Sequence, residues 1–193
     1  MPDLMHRIYV IRHGETEWSA AGKHTSHSDI ALTARGENQA RALAHRLPTV
    51  VFDAVLTSPR QRARQTCTIA GILPQAIIES DLAEWEYGDY EGLLSSDIRA
   101  TRPGWTIFED GCPSGESPAQ VSDRADRVIA RLRLLEGTVA IFTHGHFGRV
   151  LGARWIGLSV AYARRLLFDT ASISLLEYEY DRRGQPVIAK WNG

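Results

Sequence analysis

Two histidines occupy the same local phrase at widely separated places in this chain. Arg7-Ile8-Tyr9-Val10-Ile11-Arg12-His13-Gly14-Glu15-Thr16 and Val139-Ala140-Ile141-Phe142-Thr143-His144-Gly145-His146 each run an apolar strand into an imidazole and then a glycine. Ligands of open α/β sheets gather in the crevice outside such strand ends. Histidine, with an ordinary pKa of about 6.5, is a neutral nucleophile near pH 7. Arg12 beside His13 offers a fork of donors suited to phosphate or carboxylate. Gly14 lets backbone come close. These residue types point to transfer of an anionic group. Attack on a phosphoryl group needs an unprotonated nucleophile, cations around the equatorial oxygens and an acid for the leaving oxygen.

Two further segments could supply the rest. Thr57-Ser58-Pro59-Arg60-Gln61-Arg62-Ala63-Arg64-Gln65-Thr66 is a strand end feeding a helix N-terminus, where free N–H groups favour an anion. Arg60, Arg62 and Arg64 cannot all face one way at helical spacing, so one reaches the site and the others are solvated. The plain alternative is an ordinary basic first turn. Leu82-Ala83-Glu84-Trp85-Glu86-Tyr87-Gly88-Asp89-Tyr90-Glu91-Gly92 sets carboxylates among aromatics. Such a wall desolvates a carboxyl, which favours its protonated form and a general-acid role. The alternative is an exposed acidic turn. His146 reads equally as pocket wall or structural residue, and His27 as pocket or surface. His6, His24 and His45 read as surface residues. Trp18, Trp85 and Trp105 either wall the pocket or simply pack.

The elements that must position these residues alternate between strand and helix. Strands are expected at Ile8–Arg12, Phe52–Thr57, Ile77–Ile78 and Val139–Thr143. Thr33 caps a helix carrying Ala40, Leu43, Ala44 and Leu47, with Pro48 just beyond. Ser58-Pro59 and Ser117-Pro118 both read as helix starts, Ser as N-cap and Pro in the first turn. The second of these helices sets Val121, Ala125, Val128, Ile129 and Leu132 on one face. A further helix runs from Phe147 to about Ile156. Segments 172–180 and 187–191 flank Asp181-Arg182-Arg183-Gly184 as a β-hairpin. Residues 93–114 are the least regular stretch. Alternating strands and helices imply an α/β layer fold with a largely parallel sheet.

The chain has 193 residues, of which 44% are hydrophobic, with a formal net charge of -1. That length fits one compact domain with a self-sufficient core. The charge balance gives no global field for nucleic acid or an anionic membrane. Two cysteines, Cys67 and Cys112, make neither a disulfide framework nor a zinc site and fit a reducing cytoplasm. No apolar run approaches the ~20 residues of a spanning helix, so a cytoplasmic protein is expected.

Taken together, the motifs resemble the histidine phosphatase superfamily, the phosphoglycerate mutase-like enzymes. The matching positions are Arg12-His13-Gly14-Glu15-Thr16, Ser58-Pro59 with Arg62-Ala63, Glu84 with Gly88 and Glu91-Gly92, Gly115-Glu116-Ser117, and His144-Gly145. They occur in the family's order from residue 8 to about 150. The resemblance implies a three-layer sandwich with a mixed, mainly parallel central sheet. It implies that His13 becomes phosphohistidine, that Arg12, Arg62 and His144 hold the phosphoryl oxygens, and that Glu84 donates the proton. Thr25 and Ser26 match the loop that touches substrate, and Gly145 and His146 fall beside it. Neither metal nor organic cofactor is implied.

One branch is more similar still. Trp18-Ser19, Glu84 through Gly92, Asp110-Gly111-Cys112 and His144-Gly145-His146 look like the sedoheptulose-bisphosphatase type of sugar-phosphate phosphatase. That branch carries Ser at the Ser19 position, where the mutases carry Asn; Ser26 stands where both usually have Gly. The whole of 1–193 is then one domain with 93–114 as a short cap, and the partner is a small phosphorylated substrate. Oligomeric state is left open. A phosphoglycerate mutase is the alternative within the same chemistry, although its longer basic insertion is missing and the short cap favours water access. Two other classes remain: a metal-dependent hydrolase built on His13, His144 and His146, and a non-catalytic module binding phosphorylated ligands.

Overall fold

The computed structural model describes residues 6–47, 50–72, 76–179 and 184–193. Its six strands are β1 (Arg7–Arg12), β2 (Ala54–Thr57), β3 (Ile77–Ile78), β4 (Thr138–Thr143), β5 (Ile173–Tyr178) and β6 (Pro186–Lys190). They form one sheet in the order β3-β2-β4-β1-β5-β6. The first four strands in that order run parallel, and β5 and β6 are antiparallel additions. The sheet is therefore mixed and mainly parallel.

The helices are α1 (Glu17–Ala21), α2 (Ala34–Arg46), α3 (Gln61–Ile69), α4 (Ser95–Thr101), α5 (Ile107–Asp110), α6 (Pro118–Leu132) and α7 (Gly145–Trp155), with 3₁₀ turns at Ser80–Leu82, Gly88–Tyr90 and Val160–Arg165. Strand side chains alternate between faces, and the core divides accordingly. Val139 and Ile141 of β4 join Ile8, Val10, Val128, Phe147 and Leu151 on the α6 and α7 side. Ala140 and Phe142 join Ile11, Leu43, Ala63 and Cys67 on the α2 and α3 side. Three layers result.

The sequence-based boundaries hold in most places and shift informatively in others. Thr33 caps α2 through a 3.0 Å bond from Gly36 N–H to its hydroxyl. Ala40 and Leu43 are buried, whereas Ala44 is exposed. Ser117 and Pro118 start α6 with a capping box, and the five predicted apolar positions are buried. The Ser58-Pro59 start is displaced: α3 begins only at Gln61, whose N–H is accepted at 2.7 Å by Asp29. Segment 93–114 is more regular than expected. It forms α4 and α5, and Ile98, Trp105, Ile107 and Phe108 are buried with the α6–α7 core. Pro48 and the turn residues Asp181, Arg182 and Arg183 lie outside the described residues.

Among the described residues, no helix is long and apolar enough to cross a membrane.

Candidate active site

Register explains why the two His-Gly phrases meet. β1 pairs with β4 in parallel with Arg12 opposite Thr143, so the next residue of each strand is a histidine. The His13 and His144 rings lie with centroids 5.1 Å apart. His13 N–H donates to Thr143 O at 3.1 Å, and Ala171 N–H donates to His13 O at 3.1 Å. The glycine after His13 does admit a close backbone, that of a helix. Its missing side chain admits the Gly36 backbone at the start of α2, with which a Cβ would collide. It locks a helix against the loop.

The tautomers follow from the partners. His13 Nδ1 lies 2.6 Å from Gly14 O. A carbonyl only accepts, so Nδ1 carries the proton and the Nε2 lone pair is left free. Burial pushes the His13 pKa well down, and the Arg62 and Arg12 cations push it further. For His144 the assignment is reversed. Arg62 Nε–H donates to His144 Nδ1 at 3.1 Å, so the proton sits on Nε2 and faces Ser58 Oγ at 2.7 Å. Burial, with Arg62 next, holds His144 neutral as well. Ser58 is thus occupied with an imidazole rather than capping α3, although Arg60 N–H still reaches its hydroxyl at 3.3 Å.

Of the three arginines on that segment, Arg62 is the one turned inward, at 1% exposure, while Arg64 is exposed. Its guanidinium also donates to Ser28 O, Thr25 O and Ser26 O at 3.0 to 3.2 Å. The same loop is held from its N–H side by Glu91, which accepts from Ser26 at 2.9 Å and Ser28 at 3.1 Å. Ser26 is buried and its N–H is taken by Glu91, so this peptide does not face a ligand.

Glu84 meets the N-terminus of α7. Its Oε1 accepts Phe147 N–H at 2.7 Å and Trp85 N–H at 3.0 Å, and Oε2 accepts His146 N–H at 3.1 Å. Carboxylates are favoured at helix N-termini by the free N–H groups there. Tyr87 stands beside it. Burial, with the Glu84 charge next, pushes the Tyr87 phenol well up, so its O–H donates to His146 Nδ1 at 2.6 Å. His146 is held neutral, first by burial and then by Arg149. His24 stacks on His146 with centroids 5.8 Å apart and hydrogen-bonds Leu93 O through Nδ1 at 3.0 Å.

A cavity of about 260 Å³ opens between these groups. Its walls include Arg12, His13, Ser19, Thr25, Glu84, Gly145 and His146 from the expected set. Arg62 and His144 stand behind this wall. Ser19 reaches the cavity, yet its hydroxyl already accepts from Thr16 N–H at 2.8 Å and donates to Thr16 O at 3.0 Å. One expectation needs correction, and two open alternatives are resolved. His24 is a buried wall residue and not a surface one, because α4 folds over its ring. His27 is exposed, pairs with Glu86 at 2.9 Å and lies off the wall. Trp18, Trp85 and Trp105 also lie off the wall: Trp85 and Trp105 are core, and Trp18 covers Gly92.

Tyr87, Arg149 and Ser95 were not singled out as ligand contacts, and all three line the cavity. Arg149 had a legible signal, since it follows Gly145 by four residues on one helix face. Tyr87 had been placed only in an aromatic wall.

Cations outnumber carboxylates on the cavity wall, where Arg12, Lys23 and Arg149 face Glu84 and Asp169. Arg12 donates to Phe168 O at 2.5 Å, and its buried Nε has no hydrogen-bond partner among the described residues. Burial is the leading influence on Arg12, Arg62 and Arg149, lowering each pKa from its usual value. None of the three forms an ion pair among the described residues. Arginine stays protonated in proteins, so the site has positive charge awaiting an anion. The proposed metal ligands do not fit a cation. Both His144 ring nitrogens are engaged by Arg62 and Ser58, and His146 Nδ1 is taken by Tyr87.

An α/β sandwich with a neutral imidazole among buried guanidiniums at parallel strand ends defines an enzyme for phosphoryl groups. Residues 8–192 match the model of the histidine phosphatase superfamily (branch 1). The chain is 39% identical to an acid phosphatase of Mycobacterium tuberculosis, covering 95% of this chain and 92% of that protein. It is 36% identical to sedoheptulose 1,7-bisphosphatase of Saccharomyces cerevisiae, covering 83% of this chain and 71% of the relative. A solved structure of an open reading frame from Mycobacterium tuberculosis superposes with a TM-score of 0.91 at 38% identity, covering 97% of each chain. The chain belongs to the histidine phosphatase superfamily, and it is a phosphomonoesterase.

Proposed function

We propose that this enzyme hydrolyses a small phosphate monoester, a sugar phosphate or bisphosphate, through a phosphohistidine on His13 with Glu84 as proton donor. The observation that carries the reading is the free Nε2 of a neutral His13 beside Arg12, whose buried Nε has no hydrogen-bond partner among the described residues. Nε2 attacks phosphorus as the ester P–O bond breaks, and the leaving oxygen takes the Glu84 proton. Oε1 of Glu84 already accepts two N–H bonds, whereas Oε2 accepts one, so Oε2 has the lone pair for that proton. Water then adds to phosphorus, returns a proton to Glu84, and the P–N bond breaks to release phosphate.

Arg12 holds phosphoryl oxygens directly. Arg62 and His144 act from behind the wall, where Arg62 adds positive charge and fixes the loop bearing Thr25. Lys23 and Arg149 on the same wall offer cations for a second phosphate, and His24, Ser95 and His146 offer polar atoms for sugar hydroxyls. The name of the yeast relative supports a sugar bisphosphate. The short cap at 93–114, built into the same domain, supports water access over mutase exchange.

The test is phosphate release in EDTA across sugar mono- and bisphosphates, 3-phosphoglycerate and phosphopeptides, with His13→Ala as control. Robust release from a sugar phosphate, lost in the variant together with a trapped phosphohistidine, is expected. Release that survives in His13→Ala, or that EDTA abolishes, overturns the mechanism. Exchange on 3-phosphoglycerate without release identifies a mutase.

A further inference from the structure

Residues 81–86 carry Glu84 into the cavity, yet 83–86 belong to neither a helix nor a strand. Irregular backbone holds a side chain in place only if its polar groups are bonded elsewhere. Here one side chain on α6 takes three of the carbonyls, those of Asp81, Ala83 and Glu84. Arg124 is 8% exposed, and each of its five N–H groups has a partner. Nη1 donates to Asp81 O and Ala83 O, both at 2.8 Å. Nη2 donates to Glu84 O at 3.2 Å and to Glu116 Oε2 at 2.6 Å, and Nε donates to Glu116 Oε1 at 2.7 Å.

Glu116 extends the grip to the other side of Glu84. It accepts Glu86 N–H at 2.9 Å through Oε2, its own N–H donates to Glu86 O at 2.9 Å, and its carbonyl accepts Trp85 Nε1–H at 3.0 Å. The guanidinium also lies 4.3 Å from the centre of the Phe147 ring. Phe147 is the residue whose N–H makes the 2.7 Å bond to Glu84 Oε1. A single planar cation therefore touches the main chain that bears the Glu84 carboxyl and the aromatic residue that binds it.

We infer that Arg124, oriented by Glu116, is a positioning residue for proton donation: its guanidinium sets where the Glu84 carboxyl stands relative to the leaving oxygen. The inference rests on the proposed role of Glu84. Arg124 itself lies off the cavity wall and does not touch substrate. Lysine cannot take its place, because three donors on a flexible stem do not reproduce a rigid five-donor fork.

The experiment compares kcat for an alkyl phosphate, a poor leaving group, with kcat for p-nitrophenyl phosphate, whose leaving group needs little protonation. The ratio is independent of how much of a preparation is folded, which separates positioning from stability. In Glu84→Gln the alkyl ester should lose on the order of 100-fold or more relative to the aryl ester, the usual worth of general acid help. Arg124→Lys should lower the same ratio by roughly 10- to 100-fold, as a misplaced catalytic group does. Glu116→Gln, which keeps volume and removes the anionic half of the fork, should move it in the same direction. Adding Arg124→Lys to Glu84→Gln should move the ratio no further. A wild-type ratio in both Arg124→Lys and Glu116→Gln, beside a depressed ratio in Glu84→Gln, overturns the positioning role alone. An unchanged ratio in Glu84→Gln overturns the acid role itself.

Discussion

Replacing Gly145 with alanine should separate stability from catalysis. A Cβ at this position would lie 3.2 Å from Arg12 Cζ, 3.3 Å from Nη2 and 3.4 Å from Nε. Carbon contacts are at ease near about 3.5–4.0 Å, so the guanidinium must withdraw by a few tenths of an ångström. It cannot slide toward the 166–172 loop, because Nη1 is already 2.5 Å from Phe168 O. The displacement therefore falls on the edge of the cation that faces the cavity. A 1 Å error in placing such a group costs about 100-fold, so a shift of this size should cost roughly 3- to 10-fold in kcat/KM. Gly145 is the first residue of α7. Alanine is the better helix former by up to about 1 kcal/mol, or roughly 2–4 °C in Tm for a chain of this size.

The expected variant is thus as stable as the parent or slightly more so, slower, and weaker in binding inorganic phosphate. Thermal unfolding, p-nitrophenyl phosphate kinetics and phosphate inhibition measure the three quantities. Unchanged kcat/KM and phosphate affinity would show that Arg12 does not bear on the ligand. A fall in Tm alongside activity would make the contact structural.

Acid should destabilise the fold. His13, His144 and His146 are buried with pKa values well below normal, while in the unfolded chain they titrate near 6.5. Below that pH the unfolded state binds protons that the folded state refuses, so stability falls as pH falls. Each histidine contributes up to about 1.4 kcal/mol per pH unit; a urea midpoint that stays flat from pH 7 to 5 would contradict the neutral assignments. Gly14→Ala should cost about 1–3 kcal/mol, because a Cβ there meets the Gly36 backbone and not a flexible side chain. An unshifted urea midpoint for that variant would show that the loop and α2 can part without loss.

The residues that sequence pattern placed well are those whose position depends on one element and its register. His13 and His144 follow from two apolar strands that end in the same phrase; helical spacing told only that one arginine of three turns inward, and the family resemblance named Arg62. Ser117-Pro118 announced α6 because a cap is local chemistry. The site residues that escaped depend on pairings across the fold. His24 lies in a polar loop with no periodicity, and only the arrival of Leu93 and Ser95 makes it a wall residue. Ser58 had the composition of an N-cap, but a neutral imidazole from β4 competes for the same hydroxyl. Gly14 was readable as a place of close approach. The approaching group turned out to be helix α2, which no local pattern around residue 14 reveals.

β1 lies inside the sheet, and both of its partners, β4 and β5, come from residue 138 onward. The strand that delivers His13 therefore has no ladder to join until more than a hundred further residues exist. At ordinary synthesis rates that interval is on the order of ten seconds. Pairings so distant in sequence are also slow steps in folding, and an apolar strand left open meanwhile is a template for the wrong neighbour. Placement of the nucleophile thus coincides with closure of the sheet. Turnover regained after dilution from denaturant is a clock for that closure, since the ladder that buries β1 also brings His13 and His144 together.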